Sequence, residues 1–249
     1  MIKLFVTDLD GCISHPFKTP EWNAINRLRE LNILSRNDNK IPPLSICTGR
    51  PFPYAEAVAQ WLDVRIPFVF ESAGLLHLEG QRIETAVNHH NGDLEPIYKM
   101  QKWLQEEILP NYPDTVVEFT KMMDAGVVSP DVDVINKIHK IILDKIERDQ
   151  LDLEVHTTDV SVNVLMSGNN KLRGLELLGK SLDIRLDEMA YIGDSGGDVV
   201  ALKNVKRPFS PSNARQEAKD HSEVLDEEAT NAVLKAYELV IEYNRKYQG

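Results

Sequence analysis

The sequence has little cysteine: Cys12 and Cys47 are the only two among 249 residues. Two cysteines are too few for the disulfide framework that stabilises small secreted domains, so we expect a reduced, cytoplasmic setting. Both thiols lie next to predicted strand ends. Ordinary burial is the expected role of each, because unpaired cysteine is commonly buried. A bridge between them under oxidising conditions is the alternative, since neighbouring strands lie only about 4.8 Å apart.

Positive charge is also scarce, with 28 Lys and Arg against 39 Asp and Glu and a net charge of −11. Nucleic acids and anionic membrane surfaces are bound by basic surfaces, so neither is an expected partner. No apolar run approaches the length of a membrane span, and a carboxylate already appears at Asp8, too early for a signal peptide. We expect a monomer or homodimer that acts on a small molecule. An anionic substrate is compatible with this charge, because one bound cation and one lysine reverse the field locally.

The most informative segment is the N-terminal one. Residues 2–6 form an apolar run rich in β-branched and aromatic residues, typical of a strand buried on both faces. The run leads into Asp8 and Asp10, followed by a glycine. Carboxylates crowded at the end of a buried strand persist where a cation or a reaction requires them. On this segment alone an ordinary solvated turn is the alternative, whereas an EF-hand loop fails because Cys12 would occupy a ligand position.

Strands and helices alternate at both ends of the chain. A helix follows the first strand, and a second buried strand at 43–47 leads into Thr48. A strand, helix, strand unit makes the two strands parallel neighbours, so their polar ends meet at the edge where open α/β sheets bind ligands. The alternation resumes at Asn170, and a strand at 189–192 leads into the segment 193–198. The fold class predicted is therefore α/β with a parallel sheet.

The middle of the chain has a different pattern. A hairpin around 79–81, a helix from 93 to about 109, an amphipathic helix from 131 to about 148 and several short strands indicate an α+β module inserted into the α/β pattern. We place the core at 1–80 and 167–249 and the smaller inserted cap at 81–166.

Polar residues of complementary type follow the predicted strand ends. The oxygen donors are Asp8, Asp10, Asp194 and Asp198, and the phosphate-binding candidates are Thr48, Gly49 and Lys171. Oxygen ligands without His or Cys suit Mg²⁺, which commonly bridges to a substrate phosphate. A hydroxyl, exposed N–H groups and one lysine suit phosphate oxygens. Together they predict phosphoryl transfer, in which positioning and charge neutralisation do most of the work.

Four segments, at Asp8–Gly11, Thr48–Arg50, Lys171 and Gly193–Asp198, resemble in order the motifs of the haloacid dehalogenase superfamily. The resemblance covers essentially the whole chain. The long interval before Lys171 is similar to that of the C2 cap class, in its smaller subtype IIB of sugar-phosphate and phosphoglycolate phosphatases. The resemblance implies a Rossmann-like core with an inserted cap. It also implies a phosphoric monoester hydrolase acting on a small phosphorylated metabolite.

The resemblance implies a role for each catalytic residue. Asp8 would be the nucleophile that forms an aspartyl-phosphate, and Asp10 the general acid and then the general base. Thr48 and Gly49 would hold the phosphoryl oxygens, and Lys171 would neutralise both Asp8 and the transferring group.

The resemblance also implies a Mg²⁺ site. Asp8, the backbone carbonyl of Asp10 and Asp194 would bind the ion, and Asp198 would act either directly or through a neighbour. A phosphomutase of the same superfamily and a non-catalytic phosphometabolite-binding protein are the alternatives.

Several residues keep two interpretations. Lys180 is the rival of Lys171, Arg50 either contacts substrate or pairs with a surface acid, and Asn213 is either near the site or a helix N-cap. Ser195 matches a serine-protease segment, but no His in a fitting context accompanies it, so it is interpreted as a loop residue. Two departures from the phosphatase pattern are Cys12 in place of threonine and Gly197 in place of asparagine. The possible substrate contacts in the cap, each alternatively an exposed loop residue, are His89, His90, Lys121 and Arg82.

Overall fold

The computed structural model describes residues 1–15, 18–77, 82–85, 94–118, 120–158 and 160–246, and for 77 and 82–85 it describes the backbone alone. The chain forms two compact units, one of Met1–Ala86 with Asn170–Gly249 and the other of Val87–Asn169. The predicted helix start at 93, His89 and His90 lie outside the described residues, as does the turn at 79–81.

The elements follow the chain in this order. The first unit begins with β1 (Leu4–Thr7), α1 (Trp22–Leu34), β2 (Leu44–Ile46), α2 (Phe52–Trp61), β3 (Phe68–Phe70), β4 (Gly74–His77) and β5 (Arg82–Thr85). The second unit contains α3 (Glu95–Trp103), β6 (Val116–Val117), β7 (Asp124–Val128), α4 (Val132–Asp149), β8 (Leu153–Thr157) and β9 (Ser161–Met166). The first unit resumes with α5 (Lys171–Leu182), β10 (Met189–Ile192), α6 (Val199–Leu202), β11 (Arg207–Ser210), α7 (Gln216–Lys219), β12 (Glu223–Val224) and α8 (Ala229–Lys246).

The first unit is built on a parallel sheet in the order β12-β11-β10-β1-β2. The strand β1 is fully buried, and it pairs in parallel with β2 on one side and β10 on the other. This arrangement confirms the predicted α/β class. Because parallel strands end at one edge, the residues that follow β1, β2 and β10 are brought together there.

The strand β3 departs from the expected alternation. It joins β4 and β5 in a separate antiparallel sheet, and a single bridge between Cys47 and Val69 links it to the end of β2. The strands β4 and β5 pair with each other, so this hairpin stays within the first unit, whereas a boundary between 80 and 81 would divide it. The assignment of 81–166 as a cap stays a prediction.

The second unit is an antiparallel sheet, in the order β6-β7-β9-β8, packed with helices. Its core consists of apolar residues from α3 and α4 against β7 and β9, among them Met100, Ile138, Val127 and Val164. The helix α4 begins where Asp131 accepts hydrogen bonds from the backbone N–H groups of two first-turn residues. An N-cap of this kind satisfies donors that lack partners within the helix.

None of the helices in the described part of the chain combines the length and the apolar character needed to cross a membrane.

Candidate active site

Three of the predicted site residues lie just beyond neighbouring strands of the parallel sheet. Asp8 directly follows β1, Thr48 lies two residues beyond β2, and Asp194 lies two residues beyond β10. Asp8 and Thr48 are almost fully buried, at 4% and 1% exposed. The pairing of β1 with both neighbours therefore places a carboxylate, a hydroxyl and a second carboxylate at one edge.

Lys171 joins this group from the first turn of α5. Its Nζ lies 2.9 Å from Asp8 Oδ2 and 2.5 Å from Asp198 Oδ1. The helix approaches closely because Gly174 has no side chain: a Cβ there would lie 2.4 Å from the backbone oxygen of Ser72. Lys180, the rival residue, is exposed in the last turn of the same helix.

Asp198 is fully buried and saturated with hydrogen-bond donors. Its Oδ1 accepts from Lys171 Nζ and from the hydroxyl of Tyr191, each at 2.5 Å. Its Oδ2 accepts from the Ser195 hydroxyl at 2.8 Å and from the backbone N–H groups of Ser195 and Asp194. This carboxylate therefore holds Lys171 and the loop at Asp194 and Ser195 in place. Ser195 is a loop residue, as the sequence predicts.

Tyr191 is a residue of this site that sequence reasoning missed. It belongs to the buried strand β10, and its apolar environment gave it the pattern of a core residue. The available signal was chemical: a tyrosine hydroxyl in a buried strand usually has a hydrogen-bond partner.

The side chain of Asp194 packs against the loop of Asp8 at Gly11, a position where only glycine fits. Gly11 has a φ of +70°, and a Cβ there would lie 2.1 Å from Asp194 Oδ2. Both the left-handed backbone and the missing side chain are thus required. One carboxylate oxygen from each of Asp8, Asp194 and Asp198 lies within 4.8 Å of the other two.

Burial sets the charge states of this cluster. Burial raises the pKa of Asp8 to about 7, with Lys171 opposing the rise and the charges of Asp198 and Asp10 adding to it. Burial likewise raises the pKa of Asp194 to about 8, and the charges of Asp198 and Asp8 raise it further. A cation bound among these oxygens would oppose both shifts.

The lysine and its buried partner are charged. Burial favours neutral forms, but the charge of Lys171 and the donated hydrogen bonds outweigh it and lower the pKa of Asp198. The charges of Asp198 and Asp8 similarly outweigh burial and raise the pKa of Lys171.

Arg50 pairs with Asp10, the predicted general acid. Its Nε lies 2.6 Å from Asp10 Oδ2 and its terminal nitrogen lies 3.2 Å from Oδ1. The guanidinium also lies 5.3 Å from the centroid of the Tyr54 ring. The backbone N–H of Arg50 donates to Thr48 Oγ1 at 3.1 Å, and the Arg50 side chain joins this segment to the loop of Asp10.

Both cysteines are buried and free. Cys12 Sγ lies 3.9 Å from the backbone oxygen of Ile192, and Cys47 Sγ lies 3.8 Å from that of Lys171. Burial raises the pKa of both thiols, so neither is a reactive thiolate.

Lys121 is a buried residue of the second unit, contrary to the expectation of an exposed loop. Its Nζ lies 2.9 Å from Asp124 Oδ2, 2.6 Å from Asn163 Oδ1 and 3.0 Å from Glu118 Oε2. This network ties the turn between β6 and β7 to β9. The side chain of Arg82 and both residues of the His89–His90 pair lie outside what the structure describes.

The chain belongs to the haloacid dehalogenase-like hydrolases: the model of that family matches residues 82–236. The superfamily predicted from the sequence is confirmed.

Two similar curated proteins are named as phosphatases. The chain is 27% identical over 186 residues to the phosphoglycolate phosphatase of Halorubrum lacusprofundi, covering 74% of this chain and 76% of that protein. It is 24% identical over 231 residues to the phosphoglycolate phosphatase of Methanopyrus kandleri, covering 90% of each. Together with the family match, they confirm the predicted enzyme class, a phosphatase.

Solved structures share the fold. Thermoplasma acidophilum 0175 superposes with a TM-score of 0.75 at 18% identity, covering 96% of this chain and 98% of that one. The sucrose-phosphatase of Synechocystis superposes with a TM-score of 0.69 at 16% identity, with the same coverage.

Proposed function

We propose that this protein is a Mg²⁺-dependent phosphatase that hydrolyses a small phosphorylated metabolite through an aspartyl-phosphate on Asp8. The observation that carries the proposal is the salt bridge of the buried Asp8 to Lys171, beside a second carboxylate on Asp194. A carboxylate and a lysine held together in this way can attack a phosphorus atom and neutralise the charge on the transferring group.

The donor set fits a magnesium ion. Asp8, the backbone carbonyl of Asp10 and Asp194 would hold it, and all are hard oxygen ligands. When bound, the ion would neutralise phosphate charge and lower the pKa values of the surrounding carboxyl groups. Of the two roles left open for Asp198 we favour the indirect one, because each of its oxygens already accepts at least two hydrogen bonds.

The reaction would proceed in two displacements. In the first, an oxygen of Asp8 bonds to phosphorus as the ester bond breaks, and Asp10 gives its proton to the departing alkoxide. In the second, Asp10 takes a proton from water as the water oxygen attacks phosphorus, which releases phosphate and regenerates Asp8. Lys171 stays protonated throughout and stabilises the negative charge on the transferring group.

We infer that the substrate is of the phosphoglycolate class. The support comes from the two relatives above, both of which are named phosphoglycolate phosphatase. Sugar phosphates are the competing class, represented by the sucrose-phosphatase that shares the fold.

The test is release of inorganic phosphate from 2-phosphoglycolate, glucose 6-phosphate and p-nitrophenyl phosphate, with Mg²⁺ or after exhaustive EDTA treatment. We expect the highest kcat/KM for 2-phosphoglycolate and a return of activity when Mg²⁺ is restored. Calcium should inhibit, since its larger and looser coordination disturbs in-line geometry. Full activity after EDTA treatment would refute the metal dependence, and preference for the sugar phosphate would refute the substrate class.

A further inference from the structure

Asn213 connects two distant parts of the first unit. Its Nδ2 donates to the backbone oxygen of Gly11 at 2.9 Å, and its Oδ1 accepts from the backbone N–H of Ala229 at 2.8 Å. Because a carbonyl can only accept and an N–H can only donate, these two partners fix the orientation of the amide. Asn213 is not the N-cap of the helix that follows it, since α7 begins at Gln216.

The bond to Gly11 holds the peptide group next to the one that contains a proposed metal ligand, the carbonyl of Asp10. The N–H of Gly11 donates to the backbone oxygen of Ser14 at 2.7 Å, which orients the peptide group shared with Asp10. Because that peptide is planar and trans, the carbonyl of Asp10 points away from this bond. The amide of Asn213 holds the next peptide group along, so the two bonds together fix the backbone angles of Gly11 on both sides.

The same turn holds the opposing loop. Two residues beyond Asn213, the backbone N–H of Arg215 donates to the backbone oxygen of Asp194 at 2.8 Å. The loops of Gly11 and Asp194 are in close contact, because Asp194 Oδ2 occupies the space of an absent Cβ. A shift of either loop therefore displaces a proposed metal ligand.

The start of α8 completes this support. Ala229, its first residue, has a left-handed φ of 44°, and its N–H is bound by Asn213. The next residue, Thr230, donates from Oγ1 to the backbone oxygen of Ile13 at 2.7 Å. Two adjacent residues of the helix thus reach the segment around Gly11, one of them through Asn213.

We propose that Asn213 is a positioning residue for the metal site: its amide holds the Gly11 peptide so that the Asp10 carbonyl and the Asp194 carboxylate face one cation. This proposal rests on the proposed function, because the ligands are those assigned there. Outer partners that orient metal ligands typically change metal affinity about 10- to 100-fold when they are replaced.

Asn213→Asp separates the two bonds. A carboxylate still accepts from Ala229, but it has no N–H for the oxygen of Gly11, and two oxygens then repel each other. The added negative charge would by itself attract a cation. Weaker cation binding by this variant would therefore result from the lost hydrogen bond and not from the added charge.

Asn244→Asp is the matched control. Asn244 makes the same kind of bridge, with Oδ1 accepting from the N–H of Ile2 at 2.7 Å and Nδ2 donating to the oxygens of Ile2 and Lys40. It holds the N-terminus to α8 and contacts none of the proposed ligands. Loss of the Asn244 NH₂ group should therefore lower the stability of the protein without changing its metal affinity.

The experiment is a Mn²⁺ titration of the substrate-free protein, followed by the electron paramagnetic resonance signal of the free ion. We expect the Kd of Asn213→Asp to rise about 10- to 100-fold and that of Asn244→Asp to stay within about twofold of the parent. An unchanged or lower Kd for Asn213→Asp would overturn the inference, as would an equal rise in both variants.

Two further outcomes are a variant that does not fold and a parent protein that does not bind Mn²⁺. If thermal melting shows that Asn213→Asp does not fold, Asn213→Ser, which adds no charge, is judged by the same criteria. A parent protein that binds no Mn²⁺ would overturn the proposed metal site and this inference with it. A parent that binds Mn²⁺ as tightly as its Asn213 variant would overturn the inference alone.

Discussion

Replacement of Lys171 by methionine should destabilise the protein in a way that depends on pH. Lys171 is the buried cation that lies within 3 Å of carboxylate oxygens of both Asp8 and Asp198. Removing one partner of a buried ion pair costs about 3–5 kcal/mol, because the remaining charge is left without compensation. For a protein of this size that corresponds to a fall in Tm of about 6–20 °C at pH 8.

The fall should be smaller at pH 5.5. Without the lysine, the already raised pKa of Asp8 rises further and the lowered pKa of Asp198 rises too, so the folded variant binds more protons than the folded parent at a given pH. Its stability relative to the parent therefore improves as the pH falls through those raised pKa values. A neutral buried carboxyl group that lacks a partner costs only about 1–3 kcal/mol.

The assay is thermal melting in EDTA at pH 8 and pH 5.5, which keeps metal ions out of the comparison. Lys180→Met is the control, since that lysine is exposed on the same helix, and it should change stability by less than about 0.5 kcal/mol at either pH. A Lys171→Met deficit that is equal at the two pH values, or larger at pH 5.5, would refute the reasoning.

Three further substitutions test the site. Gly11→Ala should abolish tight Mn²⁺ binding, measured by the same titration, because its Cβ would fall 2.1 Å from Asp194 Oδ2; parental affinity would contradict the geometry. Arg50→Met removes the two hydrogen bonds that hold Asp10 in place, so it should lower kcat more for 2-phosphoglycolate than for p-nitrophenyl phosphate, whose good leaving group needs little help from Asp10; equal losses would show that Arg50 does not position Asp10 for proton transfer. Tyr191→Phe removes a hydrogen bond to a charged group and should cost about 1.5–3 kcal/mol in denaturant unfolding, whereas no change would mean that the hydroxyl is dispensable.

The parallel sheet and its polar edge could be predicted because their signals are local. The apolar run before Asp8 and the one before Thr48 each lead directly into a polar residue, and the connection between them allows one arrangement. Lys171 could be identified from its place at a helix start. The strands required only the spacing of residues along the chain, whereas the choice of Lys171 over Lys180 rested on the resemblance to the family motifs.

The contacts that the sequence did not reveal are long-range ones. Arg50 reaches Asp10 across 40 positions, and Asn213 reaches Gly11 across 202. Neither partner is determined by local periodicity, since both depend on which loops the sheet brings together. Lys121 was misjudged for a related reason: its carboxylate neighbours at 118 and 124 appear solvated in sequence, but they enclose the ammonium group in a buried turn.

The most direct test of the account is to identify the residue that carries the phosphoryl group. The protein is mixed with ³²P-labelled 2-phosphoglycolate and Mg²⁺, quenched in acid within milliseconds, digested and mapped by mass spectrometry. The account predicts label on Asp8, and neither label nor turnover in Asp8→Asn. Label on any other residue, or parental turnover in Asp8→Asn, would contradict it.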